Sequence, residues 1–159
     1  MLPESTLNLI MTGLLTLCGV ALGAWLQFYF HQKKVREGLF KALFEEMELN
    51  YCVAKTLREK FMQTVEPFEW SPLYTLAYQN IRTSGELIVL SKDALSILEN
   101  TYEMIYAHDR QVEAIANEPN PITRDRWTQG LKERIEKIRV NLEQLIEQIP
   151  KELNFLDCF

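Results

Sequence analysis

The apolar stretch from Leu7 to Phe30 decides the architecture of this chain. It reads LNLIMTGLLTLCGVALGAWLQFYF and contains no Asp, Glu, Lys or Arg in its 24 residues. As an α-helix that rises about 1.5 Å per residue, it would be about 36 Å long, enough to cross a hydrocarbon layer of about 30 Å with some tilt. Trp25 and Tyr29 lie near its end, and aromatic side chains are typical of the membrane interface. The pattern predicts a transmembrane helix over residues 7–30.

The residues that flank this span predict its orientation. Residues 1–6 contain no basic side chain, whereas the collar at 31–36 carries Lys33, Lys34 and Arg36. Because basic residues favour the cytoplasmic side, we expect a short external N-terminus and a cytoplasmic body. A cleaved signal peptide fits less well, since such a peptide begins with basic residues and has an apolar core of only about 7–15 residues.

Small and polar residues share one face of the predicted span. At 100° per residue they fall within an arc of about 100°, and Gly19 and Gly23 form a GxxxG pair within it. Such a face lets two helices approach closely in lipid, so we expect it to contact another copy or a different membrane protein. A narrow water path through a homo-oligomer is an open alternative. We call these residues the polar face: Asn8, Thr12, Thr16, Gly19, Gly23 and Gln27.

Behind the collar, apolar residues recur at helical spacing, and we expect an antiparallel helical bundle over residues 37–149. Pro150 is expected to end the last helix and leave a tail at 150–159. The predicted fold class is all-α, a single N-terminal transmembrane helix that continues into a cytoplasmic antiparallel helical bundle. Its helices are expected from the span to about Gln63, from Pro72 to Arg82, from Lys92 to Asn117 with Ser91 as cap, and from Thr123 to Gln148.

The last predicted helix carries a heptad seam, in which apolar residues alternate at steps of four and three. We interpret it as a surface that joins further copies or a partner. The seam consists of Leu131, Ile135, Ile138, Leu142, Leu145 and Ile149.

One structural polar contact is predicted within the bundle. Asn50 lies among core-facing residues, and Gly85 in the stretch RTSGEL is expected to adopt a positive φ. We expect the Asn50 side chain to hydrogen-bond backbone groups of the turn Thr83–Glu86, which contains Ser84.

Enzyme signatures are missing from the sequence: it has no GxSxG, no HExxH and no glycine-rich phosphate loop. His108 and Asp109 look like a metal-binding pair, but His31 is the only other histidine, so we interpret them as a solvated helix end. Glu45, Glu46 and Glu48 are interpreted as surface charge. We therefore expect no catalytic residue, no metal and no cofactor.

The charge of the body also limits its partners. Residues 37–159 carry 21 acidic and 14 basic side chains, a net charge of about −7. Binding to nucleic acid requires cationic groups that neutralise phosphates, so we expect no nucleic-acid partner.

Two segments of the body resemble a known pattern. LFEEMELN, from Leu43 to Asn50, and the stretch from Leu76 to Ile105 are similar to small prokaryotic single-span membrane proteins with a cytoplasmic helical domain of unknown function, some of them associated with phages or defence islands. The resemblance implies a membrane-anchored helical protein and assigns no catalytic residue. It depends on Glu46, Asn50, Ser84, Gly85 and Leu87.

These observations favour a non-enzymatic, membrane-anchored interaction protein. Its expected partners are the lipid bilayer, further copies or another membrane protein at the polar face, and a cytoplasmic protein at the bundle. Two alternatives stay open: an accessory subunit of a larger membrane complex, and an oligomeric membrane-disrupting or pore-forming effector that the cytoplasmic domain gates.

Overall fold

A computed structural model describes residues 4–63 and 72–156 of the chain, and its side chains over 11–60 and 72–153. Within these ranges the regular secondary structure is entirely helical, so the predicted all-α class is confirmed. The elements are α1 (Glu4–Gln63), α2 (Leu76–Ser84), a 3₁₀ turn (Glu86–Val89), α3 (Lys92–Ala116) and α4 (Pro121–Leu156).

The chain divides into two units, of which the first ends at Gly38. Every described side chain of this unit, from residue 11 onward, is exposed. Its helix is long and apolar enough to cross a membrane.

The second unit, from Leu39 to Phe159, contains the hydrophobic core. On α1 the buried residues recur at helical spacing, because only one stripe of a helix can face its neighbours. Removing a leucine-sized side chain from water contributes about 1.5–3 kcal/mol, so this stripe accounts for much of the stability of the unit. Its members on α1 are Phe40, Leu43, Met47, Ala54 and Leu57, and they join α2, α3 and α4 in one cluster.

α3 begins where the sequence predicts. The Ser91 hydroxyl accepts a hydrogen bond from the Ala94 N–H at 3.2 Å, which is the contact of an N-terminal cap. At the start of α4 the Asn120 side chain accepts from the Ile122 N–H at 3.0 Å, and Pro121 occupies the first helical position.

α4 does not end at Pro150, so the predicted tail boundary is wrong. Proline removes the hydrogen bond that its own nitrogen would donate to Ile146, and its ring crowds that carbonyl group, yet the helix continues to Leu156. The last turns are held because Ile149 is buried and Glu152 contacts Ser91. The Ser91 N–H donates to Glu152 Oε2 at 2.9 Å, and the Ser91 hydroxyl donates to Oε1 at 2.7 Å.

α2 begins four residues later than the sequence predicts, at Leu76 instead of Pro72. In the non-helical segment 72–75, side chains of other helices bind the backbone of Leu73 and Tyr74, as described below. Ser71, the predicted cap, lies outside the described residues.

Candidate functional site

The polar face of the first unit is open along its described length. A Cβ atom added to Gly19 or Gly23 would meet no atom within 4 Å, so another helix backbone has room to approach. The Thr16 hydroxyl donates to the carbonyl oxygen of Thr12 at 2.8 Å and is satisfied within its own helix. Thr12 and Gln27 are exposed, whereas the Asn8 side chain lies outside the described ones.

The predicted interface residues of the span are also exposed. The rings of Trp25 and Tyr29 stack with their centroids 5.9 Å apart. Lys33 pairs with Glu37 at 3.8 Å across one turn, and Lys34 and Arg36 share this exposed part of α1. An aromatic pair next to a basic turn is typical of a helix that leaves a membrane.

Glu46 is not a surface charge, and the interpretation that it is one is wrong. The residue is only 8% exposed, and its carboxylate accepts hydrogen bonds from the N–H groups of Ala77 at 2.7 Å and Tyr78 at 3.1 Å. These are the second and third residues of α2, whose N–H groups have no acceptor within the helix. Thr75, at the cap position, makes no side-chain capping bond. Glu46 on α1 therefore caps α2 and places a negative charge at the positive end of its dipole.

Asn50 lies one turn further along α1 and binds the segment that leads into α2. Its Nδ2 donates to the Tyr74 carbonyl oxygen at 2.7 Å, and its Oδ1 accepts from the Tyr74 N–H at 2.7 Å. The prediction that Asn50 is a buried structural contact to backbone is confirmed, but the predicted partner, the turn Thr83–Glu86, is wrong.

That turn is stabilised locally instead. The Ser84 hydroxyl donates to the Ile81 carbonyl oxygen at 2.7 Å and accepts from the Glu86 N–H at 3.4 Å. Gly85 has a φ of 76°, so the predicted positive φ is confirmed. This left-handed residue ends α2 in the manner of a helix C-terminal glycine.

Tyr102 of α3 completes the polar cluster around Glu46. Its hydroxyl donates to Glu46 Oε1 at 2.8 Å, and its ring stacks on Tyr78 with the centroids 4.0 Å apart. Burial, and then the Glu46 carboxylate, raise the pKa of the Tyr102 hydroxyl, so it stays a proton donor. The cluster of Glu46, Asn50, Tyr78 and Tyr102 joins three helices and directs its polar atoms at protein groups. Its chemistry is that of structural hydrogen bonding.

The pair His108–Asp109 is not a solvated helix end, because α3 continues to Ala116 and His108 is fully buried. Burial, and then the charge of Arg134, lower the pKa of His108 to about 4, so the ring is neutral at physiological pH. Asp109 accepts from the Leu73 N–H at 3.5 Å, and burial raises its pKa. The described residues contain no group of three or more metal-binding side chains.

The residues of the heptad seam are buried within the chain itself. All six of its residues, from Leu131 to Ile149, are at most 1% exposed. Their side chains are inaccessible to another molecule, so the interpretation of the seam as a docking surface is wrong.

Sequence reasoning missed the role of Glu46, although the signal was present. Glu46 follows Leu43 by three residues and precedes Asn50 by four, so it lies on the buried stripe of α1. Of the two tyrosines that these polar groups hold near the start of α2, Tyr78 is buried and Tyr74 is half exposed.

No protein-family model, curated protein or solved structure matches this chain. Over residues 4–63 and 72–156, the fold defines a class, an all-helical protein with one helix long and apolar enough to span a membrane. What the protein does is therefore inferred from its own geometry.

Proposed function

We propose that the protein is a single-span, membrane-anchored interaction protein that associates laterally through the polar face of its span. The observation that carries this proposal is the exposure of every described side chain from Met11 to Phe30, apolar ones included. Exposed apolar surface of this extent is stable in lipid but not in water. The open approach at Gly19 and Gly23 supports a helix as the partner within the membrane.

The body is proposed to be an antiparallel cytoplasmic bundle. Two contacts between α1 and α4 support the antiparallel direction: Tyr51 donates to Glu143 at 3.4 Å, and Arg58 pairs with Glu136 at 2.9 Å. Later residues of α1 thus meet earlier residues of α4. The collar of Lys33, Lys34 and Arg36 supports a cytoplasmic position of the body.

An interaction role is supported over a catalytic one by the use of the buried polar groups. Glu46 and Asn50 bind backbone groups of α2 and its approach, and Tyr102 binds Glu46. These contacts engage the polar side-chain atoms of Glu46, Asn50 and Tyr102 with other groups of the protein.

The test is the mass of the full chain in phosphatidylcholine nanodiscs. We expect a defined oligomer that dissociates in the variant Gly19→Ile/Gly23→Ile. Gly13→Ile is the matched control, because Gly13 is equally open but lies about 90° from the centre of the polar face. If the oligomer dissociates equally in the control variant, the polar face is not the surface through which the copies associate.

A monomer in all variants would exclude self-association and leave a different membrane protein as the partner, as expected for an accessory subunit. A photocrosslinker at Gly23 in native membranes distinguishes this case. The absence of any crosslink there would refute lateral association altogether.

A further inference from the structure

A groove with an apolar floor and an acidic rim runs between α1 and α4 in the second unit. Its volume is about 610 Å³. Leu49, Tyr51 and Ile146 contribute its apolar surface, and Leu49 is 46% exposed although it lies on a packed helix. We call this feature the acidic groove.

The rim of the acidic groove is formed by carboxylates alone. Glu45 and Glu48 line it from α1, and Glu143 and Glu147 line it from α4. No basic residue is among its lining. Glu143 binds Arg139 at 2.9 Å and Glu45 pairs with the exposed Lys41 at 3.9 Å, whereas within the described part of the chain Glu48 and Glu147 have no ion-pair partner. The groove therefore combines apolar surface with two carboxylates, Glu48 and Glu147, whose charge no ion pair of the described residues compensates.

The length of the groove is set by the helical spacing of its lining residues. On α1 they include Glu45, Glu48, Leu49 and Cys52, at steps of three and four, so the wall extends over about two turns, or about 10 Å. Two such walls form the groove into which an amphipathic helix places its apolar face.

We propose that the acidic groove binds a short basic amphipathic helix of a partner protein. The apolar face of that helix would cover Leu49, Tyr51 and Ile146, and its Lys or Arg side chains would reach the carboxylates at the rim. Charge complementarity favours a basic helix over a second copy of this acidic unit as the occupant. A second copy of this unit, whose 20 acidic and 14 basic side chains give a net charge of about −6, would bring further negative charge to the rim. The proposal rests on the interaction role proposed above and names the partner class of the body.

Cys52 provides a local reporter, since it is exposed and lines the acidic groove. The experiment uses the full chain with Cys18→Ser and Cys158→Ser in phosphatidylcholine nanodiscs. The probe is a synthetic amphipathic helix of about twelve residues, built of Leu and Lys. The readout is the rate at which a maleimide modifies Cys52 as the peptide is added, with a Leu/Glu peptide of the same pattern as the control probe.

We expect saturable protection of Cys52 by the Leu/Lys peptide, weakened as salt is raised from about 50 mM to about 500 mM. Glu48→Gln/Glu147→Gln should raise the half-saturating concentration about fivefold, the loss expected from two exposed ion pairs. The matched variant Glu99→Gln/Glu113→Gln changes the net charge equally, at exposed positions of α3 outside the groove. It should change the half-saturating concentration less than twofold.

Three results would overturn the proposal. They are the absence of saturable protection, equal weakening by the matched variant on α3, and protection by the Leu/Glu peptide. A lower mass of the Glu48→Gln/Glu147→Gln protein without peptide would also overturn it, because the groove would then hold a second copy. If the chain is monomeric in nanodiscs and the Leu/Lys peptide still protects Cys52, the proposal of lateral self-association fails while the proposal of a binding groove stands.

Discussion

Removal of the Glu46 carboxylate tests the account of how α2 is held against α1. Glu46→Ala leaves three donors without their acceptor: the N–H groups of Ala77 and Tyr78 and the hydroxyl of Tyr102. Tyr78 and Tyr102 are at most 2% exposed, so water has little access to their two donors, whereas Ala77 is half-buried. A buried donor left unsatisfied costs about 1–3 kcal/mol, and part of the total is offset because a buried carboxylate no longer has to be desolvated.

We therefore expect Glu46→Ala to lower the free energy of unfolding of the second unit by about 3–4 kcal/mol. Tyr102→Phe removes one of the three bonds and should cost about 1–2 kcal/mol. The assay is urea unfolding of the full chain in nanodiscs, read by pulse proteolysis, which reports the population of the opened unit.

Glu45→Ala is the matched control for this experiment. Glu45 is the preceding residue on the same helix, but it is exposed and pairs only with Lys41 at 3.9 Å. Its removal should change the free energy of unfolding by less than about 0.5 kcal/mol. If Glu46→Ala costs no more than Glu45→Ala, the carboxylate does not cap α2 and the reasoning is refuted.

Three further predictions use the same assay. Asn50→Ala should lower the free energy of unfolding by about 2–4 kcal/mol, because both backbone groups of Tyr74 lose their partner; an unchanged urea midpoint would contradict this. Gly85→Ala should destabilise the unit by about 1 kcal/mol, since φ is 76°, whereas Gly130→Ala inside α4 should stabilise it by up to about 1 kcal/mol; changes of equal sign would show that backbone conformation is not the cause. The pKa of His108 is lowered to about 4 from 6.5, so between these values the unfolded chain binds more protons. The contribution of His108 to the free energy of unfolding is therefore complete above pH 6.5, and about 2 kcal/mol of it is lost between pH 7 and pH 5. His108→Leu should remove this part of the pH dependence of stability.

The helices were predictable because each carries an apolar stripe whose period shows directly in the sequence. The residues at which the helices begin and end were less predictable. Pro150 looks like the end of a helix, but tertiary contacts of Ile149 and Glu152 compensate for the one lost hydrogen bond. Local chemistry predicted the cap at Ser91 and the φ of Gly85, since both depend on residues within one turn.

The site was harder to predict, for a different physical reason. A polar residue on a buried stripe must find a partner, but its position does not say which one. The acceptor Glu46 and its donors at Ala77 and Tyr78 are more than 30 residues apart, and Asn50 binds Tyr74 instead of the turn nine residues further along. The heptad seam of α4 was ambiguous in the same way, because an apolar seam has the same pattern whether it packs within a chain or between chains.

The same requirement for partners bears on the polar face of the span. In lipid, as in a protein core, a polar group without a hydrogen bond is costly. The Thr16 hydroxyl already donates to the carbonyl oxygen of Thr12, so this hydroxyl has little need of a partner. Gln27 is different: within the described part of the chain its amide makes no hydrogen bond, and it lies one turn beyond the open pair Gly19 and Gly23. If the span pairs with another helix, close approach at the two glycines would bring the backbone and side chains of that helix within reach of the Gln27 amide. The contact should therefore include the half of the span nearer the collar.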